Sequence, residues 1–224
     1  MILAIIQARM SSSRLPGKVL KPILGKPVLA LQIERTLRSK KIDKLIIATS
    51  QEHSDTPIEV LCHKIGIECY RGDLNDVLKR FNDAAEHYKA THIVRLTGDC
   101  PLVDPELIDQ VITHHINGNY EYTSNIYPRS FPDGLDIEVL SKETLTRINQ
   151  TATSDEDREH VTYFIDKNTT QFFMGNIAQQ DDHSLMRWTL DTQDDFDFIS
   201  QVYAALYHKK PNFTTLNILD YLEL

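Results

Sequence analysis

The sequence predicts an α/β protein built on a mostly parallel sheet, with a small β-rich insertion. Two observations carry this expectation. Through the first half, apolar runs alternate with stretches of helical periodicity, the pattern of right-handed βαβ units. After residue 118 the alternation breaks into short strand patterns and a turn-rich loop, then resumes as one last strand–helix unit.

Taken in order, the first-half strands are expected at Ile2–Ile6, Lys44–Thr49, Ile67–Tyr70 and His92–Leu96. The helices between and after them are expected near Pro27–Arg38, Pro57–Ile65, Asp76–Lys89 and Glu106–Ile116. Thr56-Pro57-Ile58-Glu59 has the T-x-x-E of a capping box with proline at the first helical position. Asp104-Pro105 repeats the cap-then-proline signal, and Asp73 or Asn75 is expected to cap the helix that follows it. Beyond residue 118, Tyr120–Ser124 reads as a strand, Tyr127–Gly134 as a loop, and Asp136–Leu140 alternates like a strand with one exposed face. A helix over Asp155–Lys167, a strand over Gln171–Asn176, a strand over Leu185–Leu190 and a helix from about Asp194 to Tyr207 complete the chain. One domain over 1–224 is expected, with 120–180 as its inserted segment.

Composition narrows the function classes. A chain of 224 residues with ordinary apolar content can bury a sizeable core. A formal charge of −8 argues against general nucleic-acid binding, although local cations decide whether a small anion is held. Cys62, Cys69 and Cys100 form no C-x-x-C and cannot all pair within the chain, which suits reduced thiols in a cytoplasmic protein. The N-terminal apolar run is too short for a secretory core and lacks a basic segment before it. No stretch approaches the roughly 20 apolar residues of a membrane span.

The chemistry concentrates where strands end. Ala8-Arg9-Met10-Ser11-Ser12-Ser13-Arg14-Leu15-Pro16-Gly17-Lys18 follows the first strand directly, where an α/β sheet holds phosphorylated ligands. It is not a Walker A loop, because Ser12 and Val19 stand where that motif has glycine and Ser or Thr, and no G-x-G-x-x-G follows the strand. Amides among Ser11–Ser13 can still line a polyphosphate, with Arg14 and Lys18 offsetting its charge; the plain alternative is a solvated basic turn. Gly98-Asp99-Cys100-Pro101-Leu102 ends the fourth strand, so Asp99 stands at the sheet's carboxyl edge, where a carboxylate can hold Mg²⁺ or merely form a turn before Pro101. Asp191 leaves a later strand end in the same way, as a second metal carboxylate or a helix cap; Asp194, Asp195 and Asp197 read as acids at a helix terminus. Arg71, after the third strand, is placed to meet a base or a phosphate. No H-x-x-x-H and no G-x-S-x-G is present, which argues against a zinc enzyme and a serine hydrolase.

The stretch Gln7–Lys18 resembles the opening of the sugar-acid cytidylyltransferases, which include the CMP-KDO and CMP-acylneuraminate synthetases. Gly98-Asp99-Cys100-Pro101-Leu102 matches that family's G-D-x-P-L element, and Leu190-Asp191-Thr192-x-x-Asp195 its late acidic element. Pro132–Val139 and Arg158-Glu159-His160-Val161-Thr162 are similar to the branch typified by the spore coat polysaccharide biosynthesis protein SpsF. The resemblance implies a three-layer, Rossmann-like nucleotidyltransferase fold, with residues 120–180 on the sugar side. It implies CTP and a sialic-, pseudaminic- or KDO-like sugar acid as substrates, Mg²⁺ on Asp99 and Asp191, and CMP-sugar and pyrophosphate as products for surface polysaccharide synthesis. Arg14, Lys18 and Asp99 take the catalytic roles. Gln7, Ala8, Arg9, Ser13 and Arg71 join Arg14 and Lys18 around the nucleotide. Asp136, Arg158 and His160 are the sugar-side candidates, with Asp133 and Glu138 behind them. Relatives are often homodimers, so a homodimer is among the expected assemblies. Met10 and Val19 differ from the KDO enzymes, which leaves the sugar open. A nucleotide-sugar glycosyltransferase of similar architecture and a non-catalytic nucleotide-binding subunit are the alternatives; the first calls for a D-x-D at a strand end, and the one candidate, Asp195-Phe196-Asp197, falls in an expected helix.

Overall fold

A computed structural model describes residues 1–223. Its centre is a seven-stranded sheet in the order β5-β4-β1-β6-β8-β7-β9. The parallel half comprises β1 (Ile2–Gln7), β4 (Lys44–Ser50), β5 (Glu68–Gly72) and β6 (His92–Thr97). β1 pairs in parallel with β4 on one side and β6 on the other. Leu3, Ala4, Ile5 and Ile6 are wholly buried, because helices cover both faces of a parallel sheet and its strands therefore read as unbroken apolar runs. The other half is built from β8 (Glu138–Ser141), antiparallel to β6, then β7 (Tyr122–Ser124) and β9 (Met174–Asn176). A two-stranded ribbon, β2 (Pro22–Ile23) with β3 (Lys26–Pro27), lies apart.

The helices form two outer layers. α1 (Val28–Thr36), α2 (Thr56–Ile65), α4 (Pro105–Gly118), α8 (Gln193–Leu206) and α9 (Thr215–Tyr221) pack with Ala4 and Ile6 in one core. α3 (Val77–His87), α5 (Lys142–Thr151) and α7 (Tyr163–Lys167) pack with Leu3 and Ile5 in the other. The alternation of residues along β1 between these two cores is the period of two that any strand imposes. No helix of the described residues is long and apolar enough to cross a membrane, and all three cysteines are free.

The first-half elements lie where the periodicity put them, and the differences have local causes. The capping box at Thr56 does not form: α2 begins at Thr56 itself, and Asp55 before it makes no cap bond because its carboxylate turns inward to Met10 N and Ser50. Asp104 does cap α4, accepting from Glu106 N (2.9 Å). Asp76 rather than Asp73 or Asn75 caps α3, while Asp73 accepts from Asn75 N and Asp76 N to close the turn ahead of it.

Three expected elements of the second half are corrected. The helix expected over 155–167 breaks into α6 (Asp155–Glu159) and α7, because Val161 sits at φ 49, in the left-handed region that a β-branched residue rarely enters. The strand expected from Asp136 starts at Glu138, and its residues Glu138, Val139 and Leu140 are all buried between β6 and β7, with no exposed face. The segment 185–190 is not a strand. Trp188 and Leu190 are buried in the core, but their backbones make single bonds, Trp188 N to Asp133 O and Leu190 N to Asp99 O, in place of a ladder.

Candidate active site

A cleft of about 540 Å³ opens over the carboxyl edge of β1 and β6, in the crevice where open α/β sheets bind ligands. The loop after β1 forms one wall, and the end of α6 with His160 after it forms another. Gly98 brings the two strand ends together: its N–H donates to the Gln7 carbonyl (2.8 Å), and a Cβ there would stand 2.8 Å from that oxygen, so a side chain is excluded. Asp99 follows immediately. Its carbonyl accepts from Leu190 N (2.8 Å), which carries Asp191 to the same edge.

Lys18 joins the two carboxylates. Its Nζ donates to Asp99 Oδ2 (2.9 Å), Asp191 Oδ1 (2.8 Å) and the Leu190 carbonyl (2.7 Å), which uses all three of its hydrogens. Burial lowers the lysine pKa, but the charge of Asp99 and the bonds to Asp191 and Asp99 more than offset it, and the net shift is upward. Burial likewise raises the Asp191 carboxyl, and Lys18, Arg187 and Arg14 reverse that to leave it below its ordinary value. The outer oxygen of Asp191 meets Arg187 Nη2 (2.7 Å) and Arg14 Nη2 (2.9 Å). Asp191 is not the cap of α8. That part belongs to Thr192, whose hydroxyl accepts from Asp195 N while the Asp195 carboxylate accepts from Thr192 N and Asp191 N.

The loop after β1 is held from below. Buried Asp55 accepts from Met10 N (2.7 Å), and the Met10 carbonyl accepts from Ser12 N and Gly17 N (both 3.0 Å). Gly17 turns the chain at φ 69 into the short 3₁₀ turn that presents Lys18. The amides of Ser11, Ser13 and Arg14 make no hydrogen bond among the described residues, and these residues line the cleft. Across the opening, Arg9 Nη2 meets Glu159 Oε1 at 3.2 Å, both side chains about half exposed.

A family model described as cytidylyltransferase matches residues 3–218. The chain belongs to the cytidylyltransferase family. It is therefore a nucleotidyltransferase, one that transfers a cytidylyl group. The spore coat polysaccharide biosynthesis protein SpsF of Bacillus subtilis is 38% identical over 210 residues, covering 90% of this chain and 86% of that protein. The structure of a cytidylyltransferase from Leptospira borgpetersenii superposes with a TM-score of 0.95 at 30% identity, over 99% of this chain and 93% of that one. A complex of CMP-2-keto-3-deoxy-manno-octonic acid synthetase with CTP matches at a TM-score of 0.69 and 18% identity, over 91% and 98% of the two chains, a likeness of fold.

In this cytidylyltransferase, Gln7, Ala8, Arg9, Ser13, Arg14, Lys18, Asp99, His160 and Asp191 all line the one cleft. Arg71, Asp136 and Arg158 do not. Arg71 points to α2, donating to Glu59 Oε2 (2.7 Å) and to the carbonyls of Ser50 and Glu52. Asp136 is taken up by Arg129 in a two-bond pair (2.5 and 2.8 Å), and Arg158 clamps Asp76 and Asn149. Asp133 pairs with Arg187 at 3.0 Å, and Glu138 lies buried behind the cleft.

Sequence reasoning missed Arg80, Arg95, Thr97, Val77 and Glu159 in the lining. Arg80 replaces Arg71 as the cation on this side: its Nη1 donates to the Asp73 carbonyl (2.6 Å), its Nε is buried without a partner, and burial pulls its pKa down to about 10. The signals existed. Val77 and Arg80 are one helical turn apart on α3, and Arg95 is a charge inside an otherwise apolar strand.

Proposed function

We propose that this cytidylyltransferase transfers CMP from CTP to a hydroxyl of a sialic-, pseudaminic- or KDO-like sugar acid and releases pyrophosphate, to supply surface polysaccharide synthesis. The observation that carries the reading is the convergence of Asp99 and Asp191 on one ammonium beside a loop with unpaired amides. The CTP in the structure of the KDO enzyme and the polysaccharide role in the name of SpsF support the choice of nucleotide and of pathway class.

The pair fits Mg²⁺, which binds through one or two carboxylates and takes the rest of its octahedron from phosphates and water. Among the described residues no group of three His, Cys, Asp or Glu is poised for a metal, so substrate oxygens would complete the site. When bound there, the ion supplies charge neutralisation at the phosphates and a lowered pKa for the attacking hydroxyl. The protein's own residues do the rest. The amides of Ser11, Ser13 and Arg14 receive phosphate oxygens, and the Arg14 guanidinium offsets charge on the departing pyrophosphate. Lys18, released from its carboxylates, turns its ammonium to the same phosphates. Gln7, whose Oε1 is buried without a partner, stands beside Ala8 for the nucleobase. The acceptor hydroxyl attacks the α-phosphorus in line, from the side of the cleft walled by His160.

A glycosyltransferase reading is disfavoured by Asp195, which is spent on capping α8 and on Arg187, so Asp195-Phe196-Asp197 is no metal-binding D-x-D. The test is pyrophosphate release from each of the four nucleoside triphosphates with Mg²⁺ against KDO and N-acetylneuraminate. Release with CTP and a sugar acid is expected. Purine preference, or release of a nucleoside diphosphate, would sink the proposal.

A further inference from the structure

Arg95 is a charge in a position where the fold has little use for one. It stands in β6, in register with Ile5 of β1 on one side and Glu138 of β8 on the other, beneath the cleft. Nη1 pairs with the Glu138 carboxylate. Nε is enclosed and has no partner. Nη2 makes no hydrogen bond among the described residues and is not among the enclosed atoms, and the 15% of the side chain that remains exposed meets the cleft that Arg95 lines. Nε and Nη2 together form one edge of the guanidinium fork, the geometry that grips a planar anion.

Glu138 does not need Arg95 to stay in place. Its Oε1 accepts from Tyr122 OH (2.7 Å) and from Thr162 Oγ1 (2.8 Å). Thr162 owes that position to the backbone reversal at Val161, which sends His160 to the cleft and Thr162 to Glu138. A buried arginine–carboxylate pair is replaceable by apolar residues at little cost to stability, whereas a buried donor left unpaired is unfavourable. The arrangement is thus a guanidinium oriented from behind by an anchored carboxylate, with one edge left for a ligand. The phosphates have their own donors in the loop after β1, in the amides of Ser11, Ser13 and Arg14 and in the Arg14 guanidinium. Of that edge, Nη2 is the atom left accessible at the cleft, with Nε enclosed behind it.

We infer that Arg95 holds the carboxylate of the acceptor, with Glu138 as its positioning residue. This rests on the sugar-acid reading above. It adds that the acid function is recognised from the floor of the cleft, and that an acceptor stripped of its negative charge is rejected there.

The experiment is steady-state kinetics with KDO and N-acetylneuraminate, each as the free acid and as the methyl ester, in wild type and Arg95→Gln. The wild type is expected to prefer acid over ester, and Arg95→Gln to raise the KM for the acid about 10–100-fold, the range of a charge-assisted bond. The KM for CTP should move less than threefold, and the preference for acid over ester should vanish. A partial return of that preference is expected in Arg95→Lys. If Arg95→Gln folds poorly, Arg95→Met with Glu138→Gln removes both charges while leaving an acceptor for Tyr122 and Thr162, and the same comparison is made in that variant. Equal losses for CTP and the acid, or a preference for acid that survives the substitution, would overturn the inference and leave the sugar-acid reading intact. A wild type that activates neither acid would overturn both.

Discussion

Lys18 and Arg95 are cations that line one cleft, and their surroundings differ in kind. Lys18 has three acceptors for three hydrogens, two of them carboxylates, while Arg95 has one partner and keeps an edge unbonded. A ligand arriving at Lys18 must break bonds that already exist. A ligand arriving at Arg95 completes bonds that are missing. The first arrangement suits an exchange of cations around a triphosphate, and the second suits capture of an anion.

The largest expected effect tests the Lys18 end. Asp99→Asn and Asp191→Asn each keep the shape of the side chain and remove its charge, and each should lower kcat by about 100–1000-fold, the scale on which single electrostatic stabilisers act. Pyrophosphate release at saturating CTP across a Mg²⁺ titration measures this. Near-wild-type turnover in Asp191→Asn would leave Asp99 as the one carboxylate that matters. Lys18→Met then separates the cation from its carboxylates. Asp191 keeps Arg187 and Arg14, but Asp99 loses the ammonium between it and Asp191 and the two acids repel, so the apo protein should melt about 5 °C lower, and added Mg²⁺ should restore much of the loss. A melting point that ignores Mg²⁺ would show that the ammonium does not stand in the metal position.

A smaller effect distinguishes two arginines. Arg80→Ala should raise the KM for CTP about tenfold, while Arg71→Ala should change it less than threefold, because Arg71 is engaged with Glu59 outside the lining. The reverse order would restore Arg71 to the nucleotide. The smallest effect lies beneath Arg95. Burial, and then the nearby Glu138, raise the Asp166 carboxyl to about 6, against the opposing influence of Tyr127 and Arg95. A raised carboxyl adds stability below its unfolded pKa and loses it as pH climbs through the folded one. Asp166→Asn should therefore gain in urea midpoint relative to wild type between pH 4 and pH 7. A difference between the two that stays flat with pH would show that Asp166 is compensated after all.

The parallel half was legible because both faces of its central strands are buried, so Ile2–Ile6 and Leu45–Ala48 appear as unbroken apolar runs. The other half rests on strands of three or four residues, too short to set a period, and its helices break where a single backbone angle at Val161 dictates. The site was legible as a set of strand ends. Sequence placed Lys18, Asp99 and Asp191 at one edge, but not the bonds among them, which span 81 and 173 positions. It placed Arg71 at a strand end as well, yet a strand end does not say which way a long side chain turns, and Glu59 on α2 decided that. Arg95 went unassigned although an arginine within Ile93-Val94-Arg95-Leu96 is itself the clue, since an apolar strand does not keep a guanidinium without a use for it.

The three bonds of Lys18 also make the cluster a filter for valence. A sodium or potassium ion brings no more charge than the ammonium it would have to displace, and it arrives without a tether. A divalent ion brings twice the charge to the same two oxygens. High concentrations of monovalent salt should then leave Lys18 seated, weakening the screened Arg9–Glu159 pair at the mouth long before they disturb the carboxylates below.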